Sequence, residues 1–235
     1  MLAPLREYDF TRYPMICAHR GDTSTGAKEN TLDAVSAAID SGAEMIEVDI
    51  QFTTTGDIVC HHDEIDGGGE YERFEHILDL CAGKIYMNIE LKGYGVIDEL
   101  PLLPIVLDLI ANRKMSDKVL FSSFRPDYIA ALSSSAITTL IQPPTGLLSA
   151  FGLQQFEGLL PSQLLAATHG AAYAAELKEL DDIRLADIKA NNVHLSVYTI
   201  NTKAEFDQAI GYGAQAIVTD VPRELLSYRS AAFGA

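Results

Sequence analysis

The chain has 235 residues, 48% of them hydrophobic and 21% charged, and its 33 acidic side chains outnumber 17 basic ones for a net charge of −16. So acidic a surface repels nucleic acid and anionic membranes, and it would repel an anionic substrate too unless positive charge were supplied locally. No apolar run approaches the ~18–20 residues that span a bilayer, and no Pro/Gly/Ser-rich linker divides the chain.

Residues 1–235 are therefore expected to form one domain, of a size ordinary for an α/β barrel of ~250 residues. The start of the chain lacks a basic segment followed by an apolar one, so no secretory signal is expected there. Cys17, Cys60 and Cys81 are an odd count without motif spacing, as reduced, buried thiols would be. Both features lead us to expect a cytoplasmic protein that makes no stable membrane association.

Short apolar runs alternate with longer helix-patterned segments, the mark of repeated βα units on a parallel sheet. The first strand is expected at Met15–Ala18, followed by a helix over Asn30–Ser41 that stops at Gly42. The second strand, Met45–Ile50, leads into a turn at Thr53–Asp57 and a further strand at Ile58–His62, a hairpin excursion from the alternation. Next come a helix at Glu72–Cys81, a strand at Ile85–Leu91, a helix at Asp98–Arg113 and a strand at Val119–Ser123. A helix at Pro126–Ser134, a strand at Ile137–Ile141 and a helix at Pro161–His169 follow. The strand at Ala171–Ala174 carries little β signal, because Ala is a weak strand former. A helix at Asp181–Asn191, a strand at His194–Thr199 and a helix at Thr202–Tyr212 closed by Gly213 come next. The last elements are a strand at Ala216–Thr219 and a short helix at Val221–Tyr228. Eight strands with seven or eight helices imply a closed (β/α)8 barrel, with an open doubly wound sheet as the alternative on pattern alone.

Barrel chemistry sits at the C-terminal strand ends, and ionisable residues gather there. The first strand runs into His19-Arg20-Gly21, the second contains Glu47-Val48-Asp49, the hairpin strand ends in His61-His62-Asp63, and the next strand contains Glu90-Leu91-Lys92. Residues i and i+2 of a strand share a face, so Glu47 and Asp49 point into the barrel mouth together, and Lys92 joins Glu90. Paired carboxylates oppose each other's ionisation unless a cation intervenes. With Glu90 as a third oxygen ligand, one divalent cation such as Mg2+ or Ca2+ suits the group better than Zn2+, and Mn2+ is an alternative. Each pair alone would read as ordinary surface. Their placement at successive strand ends is what points to a site. His61 alternates away from His62, and His61, His76, His169 and His194 are expected to be structural.

These residues resemble the glycerophosphodiester phosphodiesterase family. The family's ordered motifs stand here as His19-Arg20-Gly21, Glu29-Asn30-Thr31, Glu47-Val48-Asp49, Gly56 through His62-Asp63, Glu90-Leu91-Lys92, Ser123-Phe124, Tyr198-Thr199-Ile200-Asn201 and Thr219-Asp220-Val221-Pro222. The resemblance implies a single TIM barrel in which Glu47, Asp49 and Glu90 ligate the metal and His19 and His62 form a general acid–base pair. It implies that Arg20 and Lys92 hold the phosphate and that Glu29 orients groups near the first loop. The implied reaction is hydrolysis of a small glycerophosphodiester, such as a deacylated phospholipid, to sn-glycerol 3-phosphate and an alcohol. Which imidazole is acid, and whether water or a substrate hydroxyl attacks, the sequence leaves open.

Three departures stand out. Tyr198 replaces the family's usual Trp, altering an aromatic pocket wall. The stretch from His19 to Glu29 is one residue longer than usual. Only Glu64–Tyr71, with Gly67-Gly68-Gly69, occupies the place of a common capping insertion, which implies an open, flexible mouth. That mouth motivates a second reading, a lysophospholipase D-type enzyme acting on one-chain lipids. A non-catalytic barrel that binds phosphorylated ligands is a third, disfavoured because every ligand and base of the motif set is kept. A nuclease is disfavoured by the acidic surface.

Overall fold

The computed structural model describes residues 2–66, 69–94 and 99–234. Of the Gly67-Gly68-Gly69 run, Gly67 and Gly68 lie outside the described residues, as does Asp98. The strands are β1 (Met15–Ala18), β2 (Met45–Phe52), β3 (Ile58–Cys60), β4 (Glu72–Arg73), β5 (Tyr86–Leu91), β6 (Val119–Ser123), β7 (Ile137–Ile141), β8 (Ala172–Glu176), β9 (Leu195–Tyr198) and β10 (Ala216–Thr219). Eight of them form a parallel ring in the order β1-β2-β5-β6-β7-β8-β9-β10. The ring closes where β1 pairs with both neighbours, Met15 opposite Ala216 and Cys17 opposite Met45. This closure removes the open doubly wound sheet. The strands β3 and β4 extend β2 as an antiparallel hairpin outside the ring.

The helices between strands are α1 (Leu32–Ser41), α2 (Phe74–Cys81), α3 (Leu103–Asn112), α4 (Pro126–Leu132), α5 (Leu147–Ala150), α6 (Pro161–Thr168), α7 (Asp182–Ala190), α8 (Lys203–Tyr212) and α9 (Pro222–Phe233). Among the described residues, no helix is long and apolar enough to cross a membrane.

Alternation along β2 shows why the ring forms. All eight of its residues are buried. Ile46, Val48 and Ile50 join the apolar core that includes Val35 of α1 and Ile77 of α2, while Glu47 and Asp49 occupy the opposite, axial face. The second half of the barrel has its own apolar layer, in which Ile217 and Val197 share a core with Phe206 of α8 and Leu225 of α9. Below the ring, Glu44 fastens the seam. It accepts hydrogen bonds from the Ile16 amide at 2.9 Å, the Tyr8 hydroxyl at 2.7 Å and Arg229 of α9 at 2.5 Å. Cys17, Cys60 and Cys81 are free and buried.

Several expected boundaries move. The helix expected from Asn30 starts at Leu32, because Asn30 is left-handed at φ 58° and Thr31 caps the helix. The helix expected from Glu72 starts at Phe74, because Glu72 and Arg73 pair with β3. The hairpin strand stops at Cys60, and the last helix runs on to Phe233. The strand expected at Ala171–Ala174 continues to Glu176, which brings that carboxylate to the ring's C-terminal rim. The four-residue α5 was not expected at all. Both helix stops at Gly42 and Gly213 are found, each glycine at φ 86°.

Gly21 is required for two reasons. Its φ is 90°, and a Cβ there would lie 2.6 Å from the carbonyl carbon of Ala34 in α1. Gly56 has nearly the same φ, 87°, but open space around it. Gly21→Ala should lower stability by about 1–3 kcal/mol and more than Gly56→Ala does, because only the first adds overpacking to backbone strain. Urea unfolding of both variants checks this. Equal midpoints would mean that the close approach to α1 is not what demands glycine.

Candidate active site

The C-terminal ends of β1, β2 and β5 converge on one charged group. Glu47, Asp49 and Glu90 each offer a carboxylate oxygen, and these lie within 4.8 Å of one another. The pairing explains the meeting, since β2 and β5 run in parallel register with Asp49 opposite Glu90. Two cations thread between the acids. Lys92 Nζ is 2.7 Å from Glu90 and 3.2 Å from Asp49. Arg20 donates to Glu29 at 2.8 Å, and its Nε lies 3.3 Å from Asp49. The Arg20 side chain, expected to face a phosphate, is thus engaged with carboxylates, and the same holds for Lys92.

Geometry at Arg20 is set by the backbone. Its φ is 56°, which turns its amide to donate to Glu47 at 3.0 Å. Asn30, also left-handed, returns two hydrogen bonds to Asp49. Its amide nitrogen donates to the Asp49 carboxylate at 2.8 Å, and its oxygen accepts the Asp49 backbone amide at 3.0 Å. Asn and Asp tolerate this region better than other side chains.

The three carboxylates are not equivalent. Burial pushes Glu47 well up, and the charges of Asp49 and Glu90 add to it against Arg20 and Lys92. Burial and Asp49 likewise raise Glu90, against Lys92. Burial would raise Asp49 too, but Lys92, Arg20 and the Asn30 amide outweigh it and hold that carboxyl low. Mutual raising, expected for both members of the Glu47/Asp49 pair, holds for Glu47 alone. Its Oε1 is buried without a hydrogen-bond partner. An orphaned buried carboxylate oxygen in an all-oxygen group is what a hard divalent cation would satisfy, so these residues can hold one.

His19 and His62 both line the cavity above this group. Each has its Nδ1 beside a carboxylate, His19 with Asp220 at 2.7 Å and His62 with Asp63 at 2.8 Å. In both rings Nε2 is the nitrogen that these carboxylates do not hold. Asp220 is itself braced, accepting from the Asn201 side chain at 2.7 Å while Asn201 accepts the Asp220 backbone amide at 2.9 Å. Asn30, Asn201, Asp220 and Asp63 all stood in the sequence motifs without an assigned role. A short polar side chain next to each assigned residue was the available signal. Glu29 is partly exposed and meets only the outer nitrogen of Arg20.

A cavity of about 750 Å³ runs from this mouth down the barrel axis. Its middle is lined by Cys17, Asn88, Ser122, Thr139, Ala174 and Ser196. Barrels of this kind usually fill their axis with bulky branched side chains, and these small ones leave it open. At the far end the cavity meets His169 and His194, the latter half-buried against Phe10 with ring centres 4.6 Å apart. His61 packs on Tyr71 and His76 pairs with Glu72, both away from the cavity. Tyr198, with Phe124, forms part of the upper wall.

The model of the glycerophosphoryl diester phosphodiesterase family matches residues 19–70 and 68–224. The chain is similar to a glycerophosphodiester phosphodiesterase of Caldanaerobacter subterraneus, at 26% identity over 91% of this chain and 96% of that one. Among solved structures it resembles a putative glycerophosphoryl diester phosphodiesterase of Silicibacter pomeroyi, with a TM-score of 0.77, 18% identity and 94% of each chain covered. It also resembles an Oleispira antarctica phosphodiesterase solved with its product sn-glycerol-3-phosphate, with a TM-score of 0.75, 19% identity, and 93% of this chain and 98% of that one covered. At such identities the structural matches establish the barrel fold.

The Asp220 brace gives a pH signature. Its hydrogen bond to His19, with that from Asn201, lowers the carboxyl despite partial burial. A carboxyl lowered on folding stabilises above its unfolded value of about 4 and loses that contribution as pH falls through the folded value. Asp220→Asn should therefore melt below wild type at neutral pH, with the gap closing below about pH 4. Melting curves across this range check it. A gap that persists in acid would show that the loss is one of shape and not of charge.

Proposed function

Since this chain belongs to the glycerophosphoryl diester phosphodiesterase family, we propose that it hydrolyses glycerophosphodiesters to sn-glycerol 3-phosphate and an alcohol, with a divalent cation on Glu47, Asp49 and Glu90. The observation that carries this reading is the joint presence, at one barrel end, of a three-carboxylate group, two threaded cations and two carboxylate-braced imidazoles. Mg2+ and Ca2+ fit the all-oxygen donors best, with Mn2+ also acceptable. When bound, the ion supplies Lewis acidity and neutralises charge on the phosphoryl oxygens.

The chain's own residues account for the rest. Arg20 and Lys92 carry positive charge into an acidic protein, and from beside the carboxylates their remaining donors would hold the phosphate. His19 and His62 line the cavity, each with Nε2 not held by its carboxylate. One, neutral, takes the proton of the attacking hydroxyl, and the other, protonated, gives one to the departing alkoxide oxygen. Asp220 and Asp63 hold each ring in orientation and favour its charged form as the proton arrives. Tyr198 and Phe124 wall the site, and Glu29 keeps Arg20 from swinging outward.

Two measurements test this. Chelated protein should release sn-glycerol 3-phosphate from glycerophosphocholine only after Mg2+, Ca2+ or Mn2+ is restored. His19→Ala or His62→Ala should cut that rate by about 10²–10⁴-fold. Unchanged rates in either variant would remove the acid–base pair, and faster turnover of lysophosphatidylcholine would move the assignment to lysophospholipids.

The carboxylate group gives a separate, non-kinetic test. An ion at a hundred times its Kd should raise the melting temperature by about 5–10 °C. Glu47→Gln should abolish that rise. Because Glu47 is raised on folding, its ionised form opposes folding at neutral pH, so the same variant should melt at or above wild type when metal-free. A metal-free Glu47→Gln protein that melts well below wild type would contradict the role given to Glu47.

A further inference from the structure

The ring divides into two unlike halves. Asp220, His19 and Lys92 directly follow β10, β1 and β5, and Asp49 lies within β2 between them, which makes this the charged and proton-carrying side. The other half, β6 to β9, meets the cavity with Phe124, Ile141, Glu176 and Tyr198. That wall holds two aromatic rings, one aliphatic side chain and a single carboxylate.

Glu176 is placed there by strand geometry. Ala172, Ala174 and Glu176 alternate along β8, and all three line the cavity. Counting round the ring, β8 stands four strands from β2 in either direction, so Glu176 lies directly across the mouth from Glu47 and Asp49. Glu176 is in register with Tyr198 of β9. Burial first, and then the charges of Glu90 and Glu176, push the Tyr198 hydroxyl above the ordinary phenol range, so it stays neutral.

Across the mouth, Asp49 and Glu90 already have Lys92 and Arg20 as partners. Among the described residues, the ion pair of Glu176 is with Lys178, at 2.5 Å, and Lys178 is 76% exposed. An exposed pair of this kind is worth little and gives way to a better cation. Phe124, which follows β6 two strands round the ring from β8, accepts cations too, for Lys92 Nζ stands 5.9 Å from the centre of its ring.

We propose that Glu176, with Tyr198 and Phe124, selects phosphodiesters whose alcohol carries an ammonium or quaternary ammonium group over those with a neutral alcohol. This rests on the phosphodiesterase reading and names the alcohol that it leaves open. In such a substrate two carbons separate the phosphate oxygen from the nitrogen. With the phosphate on the Arg20 and Lys92 side, the nitrogen reaches toward the carboxylate wall. A neutral alcohol would strip water from Glu176 and return at most a hydrogen bond without opposite charge, and that shortfall is the discriminating part. The small axial residues below, Ala172 and Ala174, leave room for the bulk of a trimethylammonium group.

The test compares kcat/KM for glycerophosphocholine, glycerophosphoethanolamine and glycerophosphoglycerol in the metal-loaded enzyme. Wild type should prefer the two cationic substrates. Glu176→Gln should lower kcat/KM for those two by about tenfold, mostly through KM, and leave glycerophosphoglycerol within about twofold. Equal losses on all three substrates, or no loss on any, would overturn the proposal, as would a wild type without preference. Wild type inactive on all three would instead sink the phosphodiesterase reading. If Glu176→Gln does not fold, Lys178→Ala decides. Removing the surface competitor should lower KM for glycerophosphocholine and glycerophosphoethanolamine but not for glycerophosphoglycerol, and an unchanged KM counts against the wall.

Discussion

The structure turns on the cost of gathering three carboxylates in a buried space. Glu47, Asp49 and Glu90 cannot all ionise there without compensation, and the neighbouring chain is arranged around that fact. Lys92 is drawn in from the end of β5 and Arg20 from the end of β1. Two consecutive motifs, His19-Arg20-Gly21 and Glu29-Asn30-Thr31, adopt left-handed backbone at Arg20 and Asn30 to bring an amide and a carboxamide to the same acids. Gly21 lies against α1 because the turn that makes this possible has no room for a side chain. Even so, one oxygen of Glu47 is left unmatched.

Much of this was legible in the sequence, for physical reasons. Parallel strands buried on both faces leave apolar runs, and the period of two within Glu47-Val48-Asp49 and Glu90-Leu91-Lys92 fixes which residues share a face. The convergence of β1, β2 and β5 then follows from adjacency in the ring. The bracing layer was not legible. Asp220 is 201 residues from His19 in the chain and meets it because β1 pairs with β10, and Asn201 reaches Asp220 from the end of the next strand, β9. Asn30 could be placed in a motif, but its hold on Asp49 depends on a left-handed backbone that an Asn alone does not announce. Glu176 escaped for another reason. The strand Ala172–Glu176 is mostly alanine, so its end could not be located, and a shift of two residues moves a carboxylate from an expected loop to the rim of the cavity.

The two halves of the mouth rest on the same scaffold but make different demands on it. On the β10 to β5 side, Arg20, Lys92, Asp49 and Glu90 are paired within the cluster and one Glu47 oxygen is left over, so a change at one position propagates to the others. On the β6 to β9 side, Glu176 and Tyr198 stand in register at the cavity wall. Chemistry and choice of substrate are thus separable in space, an arrangement barrels allow because each strand end is held independently.

The open axis has a consequence for how such a chain can change. The helices and the outward faces of the strands supply the apolar contacts that keep the ring closed. Along the axis the lining is of two kinds: Met15, Cys17, Met45 and Val218 pack into a third apolar cluster, whereas Asn88, Ser122, Thr139 and Ser196 line the cavity without belonging to one. Replacement of this second set, and of the wall residue Glu176 above it, is therefore less constrained by folding. A protein built this way separates heritable variation into two compartments. Substitutions in the apolar clusters are filtered by stability first, whereas those at the polar axial positions are filtered more by ligand, and new specificities can accumulate there without loss of the fold.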